Sequence, residues 1–133
     1  AKARSWMSAA AFLAVGAGAA VGAWLRWWLG IVLNPLFPTL PLGTLAANLV
    51  GGYLMGLALG VITQFEALSP ELRLLVTTGF LGGLTTYSTF SAEAATLLSH
   101  EQYSWAAAHT AAHLVGSVAM TFAGIATVRL FLR

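Results

Sequence analysis

The chain has 133 residues, of which 59% are hydrophobic and only 8% are charged. Soluble domains carry about 25% charged residues, so this composition excludes an ordinary soluble protein and predicts a single membrane domain spanning residues 1–133. The net charge of +2 is too small to predict a nucleic-acid partner, and the absence of cysteine excludes disulfides and thiolate metal sites.

Four apolar segments are long enough to cross a bilayer, at about residues 7–33, 42–65, 70–99 and 103–132. The first carries Gly16, Gly18 and Gly22, a small-residue face that is suited to close helix packing. It ends in an aromatic girdle around Arg26. This arginine is either an interfacial residue whose charge snorkels to water or a source of positive potential at an anion entrance.

A stripe of small and polar residues runs along the second segment at intervals of four: Thr44, Asn48, Gly52, Gly56 and Gly60. The three glycines form a doubled GxxxG pattern, which predicts close helix packing. Asn48 lies on the same stripe inside the apolar segment. It either makes a structural hydrogen bond between helices or lines a polar path.

The centre of the third segment, GFLGGLTTYSTFSAE over residues 79–93, is rich in glycine and hydroxyl residues. Glycine costs a helix about 1 kcal/mol relative to alanine, and Ser and Thr offer the backbone competing hydrogen bonds. A break in the helix is therefore predicted near residues 80–90. Irregular backbone at membrane depth must be covered by protein, water or an ion, so an ion or solute site is expected around residues 82–93. Glu93 is a functional candidate there.

A polar stripe in the fourth segment contains His109, His113, Ser117 and Thr121. Two histidines four residues apart on a helix can bind a metal, but no convincing third ligand is evident from the sequence. The stripe is interpreted instead as the lining of a path or an interface, with the role of His109 left open. A zinc enzyme that uses both histidines with Glu93 is a rival interpretation, and no enzymatic activity is expected.

Basic residues are unevenly distributed between the two sides of the predicted bundle. Four crossings place both chain ends on one side, which carries Lys2, Arg4, Arg73, Arg129 and Arg133, whereas the other side has only Arg26. This bias predicts cytoplasmic termini. Four helices make a thin wall for a pathway and the glycine stripes need partners, so a two-fold homodimer is expected.

The sequence of residues 79–93 closely resembles the signature of the Fluc (CrcB) fluoride channel family, with support from residues 22–27, 41–51 and 116–121. The resemblance covers nearly the whole chain. It implies an all-α membrane protein with four transmembrane helices per subunit, the third of them broken. It further implies an antiparallel dual-topology homodimer in the bacterial inner membrane, with two pores that passively export fluoride and relieve its toxicity. A fluoride/proton antiporter that uses Glu93 is the alternative.

The resemblance also implies functional residues. Two aromatic positions that contact fluoride match Phe90 and Tyr87, the latter a departure from the family's phenylalanine. The other implied pore positions are Thr44, Asn48, His113, Ser117, Arg26 at the vestibule and Glu93 as a buried carboxylate. A structural sodium ion is implied at the two-fold axis, held by the backbone carbonyls of Gly82 and Thr85.

Overall fold

A computed structural model describes residues 8–65 and 67–132, and all regular secondary structure within them is helical. The α-helices are α1 (Ala9–Leu33), α2 (Leu42–Gln64), α3 (Pro70–Leu74), α4 (Gly82–Leu84), α5 (Tyr87–Ser99) and α6 (Tyr103–Phe131). A π-helical segment, Leu75–Leu81, joins α3 to α4, and a 3-10 turn, Asn34–Leu36, follows α1. The predicted helix start at Met7 and the terminal cations Lys2, Arg4 and Arg133 lie outside the described residues.

Among the described residues, three helical stretches are long and apolar enough to cross a membrane: Ala9–Leu36, which includes the 3-10 turn, Leu42–Gln64 and Tyr103–Phe131. Their number makes the chain a multi-pass membrane protein. Residues 70–99, for which the sequence predicts another crossing, form a succession of shorter helical segments.

The glycine stripe of α2 packs against α6 of the same chain. A Cβ atom on Gly56 would lie 2.9 Å from the Cα of Gly124, and one on Gly60 would lie 2.7 Å from the Cβ of Val128. The Thr121 hydroxyl donates to the Gly52 carbonyl at 3.0 Å. The partner that this glycine stripe needs is therefore supplied by α6 of the same chain.

Two glycines of α1 approach the segment that leads to α5. Cβ atoms on Gly18 and Gly22 would overlap backbone atoms of residues 75–84, whereas one on Gly16 would have no atom within 4 Å. Of the predicted small-residue face, Gly18 and Gly22 therefore pack closely against another segment, whereas Gly16 does not. This close approach holds the backbone of residues 75–84 against α1.

The third segment widens before it breaks. The Thr77 hydroxyl donates to the Arg73 carbonyl at 2.7 Å, and this competition for a helical acceptor favours the wider π-helical turn that follows α3. Thr85 (φ −85°, ψ 156°) and Thr86 (φ −149°, ψ 115°) then adopt extended backbone. The interruption is confined to these two residues, which is narrower than the range of 80–90 predicted from composition.

Candidate functional site

Asn48 on α2 holds the break at Thr86. The Thr86 N–H donates to Asn48 Oδ1 at 2.8 Å, and Asn48 Nδ2 donates to the Thr86 carbonyl at 3.1 Å. In a continuous helix that N–H would donate to the Gly82 carbonyl instead. The amide therefore satisfies both polar groups of an extended residue that packing has buried.

Arg26 on α1 stabilises the other side of the break. Its Nε donates to the Gly83 carbonyl at 3.0 Å, an acceptor that the Tyr87 N–H would use in a continuous helix. The Nε–H of Arg26 is thus directed into the protein. Arg26 also lines a cavity of about 300 Å³ together with Trp27, Asn34, Thr44, Thr86 and Thr89.

Glu93 on α5 connects α2 to α6. The Thr44 hydroxyl donates to Glu93 Oε2 at 2.6 Å, and His109 Nε2 lies 3.4 Å from Glu93 Oε1. His109 Nε2 also lies 3.4 Å from the Phe90 carbonyl, so this nitrogen faces two acceptors. The His109 side chain is completely buried, whereas that of Glu93 is 16% exposed.

The contact between Asn48 and His113 fixes the proton on the His113 ring. The two contacts of Asn48 with Thr86 determine which amide atom is nitrogen, and that nitrogen lies 3.0 Å from His113 Nδ1. Since Nδ2 can only donate, His113 Nδ1 must accept, and the neutral ring carries its proton on Nε2. The sequence does not predict this tautomer, because it depends on a contact between residues 65 positions apart.

Phe90 packs between the aromatic and imidazole rings of the site. Its ring centroid lies 5.2 Å from that of His109, in a stacked arrangement, and 4.9 Å from that of His113. The two imidazoles are 4.5 Å apart, and the Tyr87 ring lies 5.7 Å from Phe90. The Tyr87 side chain is 82% exposed, so Phe90 is the better-packed member of the aromatic pair.

A groove of about 420 Å³ collects most of the residues predicted for the site. Its lining includes Asn48, Gly82, Thr85, Thr86, Tyr87, Phe90, His113 and Ser117. Arg26 and Thr44 line the smaller cavity instead, and Thr86 lines both. Thr86 is a site residue that the sequence interpretation missed. Its signal was its position as the cap of α5, where its hydroxyl accepts from the Thr89 N–H at 3.1 Å.

A third potential metal ligand lies close to the two histidines. Glu93, His109 and His113 each place one ligating atom within 4.8 Å of the others. Glu93, which the rival zinc interpretation names as a ligand, is therefore close enough to both histidines to be the third ligand. Sequence spacing could not show it, because Glu93 lies on α5 and approaches the histidines only when α5 packs on α6.

Comparison with known proteins gives consistent matches along the chain. Residues 13–125 match the family described as CrcB-like protein, Camphor Resistance (CrcB). A protein of Nitrosospira multiformis named fluoride-specific ion channel FluC is 62% identical over 90% of this chain and 93% of its own length. Proteins of the same name from Aromatoleum aromaticum and Pseudomonas putida are 61% and 57% identical, over 87% and 86% of this chain and 88% and 91% of their own lengths. The chain therefore belongs to the CrcB family.

Proposed function

We propose that this chain forms a fluoride-selective passive channel, not an enzyme, which exports fluoride across the bacterial inner membrane and thereby relieves fluoride toxicity. The names of its relatives support this function. The structural observation that carries it is the convergence of Asn48, Phe90 and His113 on one groove at the helix break.

Fluoride is small and strongly hydrated, so a path must replace its water with close hydrogen-bond donors. Both amide hydrogens of Asn48 are already used, by the Thr86 carbonyl and His113 Nδ1. The Nε2–H of His113, whose ring lies beside Phe90, has no hydrogen-bond partner in the part of the chain that the structure describes. We therefore assign fluoride donation to His113 and Ser117, and the positioning of His113 to Asn48.

These donors suit conduction as well as binding. The aromatic ring edge of Phe90 carries partial positive charge and adds a weak contact for an anion. The residues that line the groove include no Lys or Arg. An ion held by neutral donors binds strongly enough to enter and weakly enough to leave.

The assembly proposed is an antiparallel dual-topology homodimer with two pores, in which residues 70–99 form the fourth crossing as a broken helix. The support is the open groove and the exposure of Tyr87 beside it, since a second subunit would cover both. Of the basic residues that were counted to predict the orientation in the membrane, the structure describes three: Arg26, Arg73 and Arg129.

A structural sodium ion fits the same surface. Gly82 and Thr85 both line the open groove, and the Thr86 N–H that would engage the Gly82 carbonyl is diverted to Asn48. Thr85 itself has extended backbone, so its carbonyl leaves the helical direction. Carbonyl oxygens suit a hard cation, so these two residues are proposed to hold sodium between subunits.

The test is efflux from liposomes loaded with fluoride or with chloride, with valinomycin and potassium to clamp the voltage. Fast loss of fluoride without loss of chloride is the expected result. Equal loss of both anions would contradict selectivity, and retention of both would contradict channel activity.

A fluoride/proton antiporter is the second candidate, because the hydrogen bond from Thr44 and the nearby His109 place Glu93 among groups that can exchange a proton. The discriminating measurement is fluoride flux driven by a pH gradient at zero voltage. Antiport predicts uphill fluoride movement that Glu93→Gln abolishes and that Glu101→Gln, on an exposed turn, retains. A channel predicts no uphill movement in any of the three proteins.

A further inference from the structure

Three buried side-chain atoms in one cluster have no hydrogen-bond partner among the described residues: Glu93 Oε1, His109 Nδ1 and His113 Nε2. The side chains of both histidines are almost inaccessible, at 0% and 4% exposure. Buried polar atoms without a partner are unfavourable and rare in native proteins, so a cluster of three indicates a site that binds a further ligand.

The spacing of the cluster is suited to a metal ion. The three side chains each offer one ligating atom, and these atoms all lie within 4.8 Å of one another. Tetrahedral bonds of about 2.0 Å place ligands about 3.3 Å from each other. Small side-chain rotations, chiefly of the partly exposed Glu93, would bring the ligands to bonding distance.

The ligand types select the kind of ion. Two imidazoles and one carboxylate favour zinc and its neighbours over sodium, magnesium or calcium, which prefer oxygen ligands alone. Three protein ligands also leave the fourth tetrahedral position open. We infer that Glu93, His109 and His113 bind a divalent ion of the zinc group, and that the bound ion blocks the fluoride path.

The ion would compete with contacts that its ligands make within the protein, among them the hydrogen bond from Thr44 to Glu93. His113 uses its Nδ1 lone pair to accept from Asn48, and a bond to the ion at either ring nitrogen ends that contact. A neutral hydrogen bond contributes much less net free energy than metal coordination by three ligands supplies. Binding needs deprotonated ligands, and so the apparent affinity falls as the pH is lowered.

Block follows from the position of the cluster. His113 lines the groove, and Phe90 contacts both histidines. A metal ion bound to His113 would prevent this side chain from donating to fluoride. The double positive charge of the metal ion would also hold an entering anion too strongly for conduction. This second step rests on the proposed channel function, whereas metal binding does not.

The experiment uses the purified full chain, freed of any polyhistidine tag, in lipid nanodiscs. Zinc binding is measured by isothermal titration calorimetry for the unmodified protein, His109→Gln, His113→Gln and His100→Gln. His100 is the matched control, because it is exposed on the turn after α5 and lies outside the cluster. The expected result is one zinc ion per chain, with affinity lowered at least about tenfold in either cluster variant and kept in the control.

Absence of saturable binding, or equal loss of affinity in the cluster and control variants, would overturn the site. Fluoride efflux is then measured with and without zinc, and inhibition in the unmodified protein and the control is expected. Zinc binding without inhibition would overturn the block. Absence of fluoride efflux at any zinc concentration would reject the channel function, and with it the block, while leaving the calorimetric test of the site intact.

Discussion

Asn48 pairs with both backbone polar groups of Thr86, as a neighbouring strand would, at 2.8 Å and 3.1 Å. The pairing joins α2 to the break between α4 and α5. The same amide nitrogen also donates to His113. One side chain thus stabilises the irregular backbone and sets the proton position on a ring that faces the groove.

Replacing Asn48 by aspartate tests this dual role. The carboxylate still accepts from the Thr86 N–H but cannot donate to the Thr86 carbonyl or to His113. We expect fluoride efflux to fall at least tenfold and the free energy of unfolding to fall by about 1–3 kcal/mol, because two acceptors lose their donor. Liposome efflux and thermal unfolding in detergent measure the two effects.

Asn34→Asp is the matched control for that substitution. Asn34 Oδ1 only accepts in its two contacts, from the backbone N–H groups of Gly43 and Thr44, and a carboxylate can replace it there. Stability close to that of the unmodified protein is expected; efflux is not part of this control, because Asn34 lines the same cavity as Arg26. Similar losses of stability in the Asn34 and Asn48 variants would show that hydrogen-bond polarity is not the cause.

Gly56→Ala tests the packing of α2 on α6. The added Cβ would overlap the Thr121 carbonyl and lie 2.9 Å from Gly124, where backbone atoms cannot move cheaply. Overpacking of this kind costs about 1–3 kcal/mol. A lower unfolding temperature and earlier aggregation on size-exclusion chromatography are expected, whereas Gly16→Ala, with no atom within 4 Å, should behave as the unmodified protein does. Equal stability of the two variants would contradict the packing assigned to Gly56.

Arg26→Lys separates the two interpretations of this cation. Lysine keeps the charge but lacks the Nε–H that arginine directs at the Gly83 carbonyl. Loss of a hydrogen bond from a charged group lowers stability by about 1.5–3 kcal/mol, and efflux should fall as the break loosens. If Arg26 acted only by its positive potential, Arg26→Lys would keep full efflux and Arg26→Gln would not. Arg129→Lys, in the last turn of α6, is the control for replacing an arginine by lysine, and efflux and stability close to those of the unmodified protein are expected.

Tyr87→Phe restores the residue that the family resemblance implies at this position. The side chain is 82% exposed, so its hydroxyl contributes little to the fold of one subunit. A change in unfolding free energy below about 0.5 kcal/mol is expected, with fluoride selectivity kept. The measurement is efflux of fluoride against chloride, with Tyr103→Phe as the control on an exposed helix start. Loss of selectivity in Tyr87→Phe would show that the hydroxyl takes part in the path.

Composition and spacing determined the membrane class and, to within a few residues, the ends of the three long helices. These features depend on local chemistry, because apolar length and turn residues decide where a helix crosses a bilayer. The glycine and hydroxyl content of residues 79–93 also located the break, since a propensity against the helix is a local property. It did not identify Thr85 and Thr86, because the exact break depends on Asn48 and Arg26, which are distant in the sequence.

Only the tertiary structure decided which polar residues meet. Glu93 on α5 approaches His109 on α6, and Asn48 on α2 contacts His113 on α6. Because each pair joins two different helices, the spacing of residues along the sequence does not predict either contact. The direction of each hydrogen bond followed from the same packing, because the Thr86 peptide orients the Asn48 amide and the amide then orients the imidazole proton. Helix periodicity can place a side chain on a face, but the partner that the face meets is decided when the helices pack.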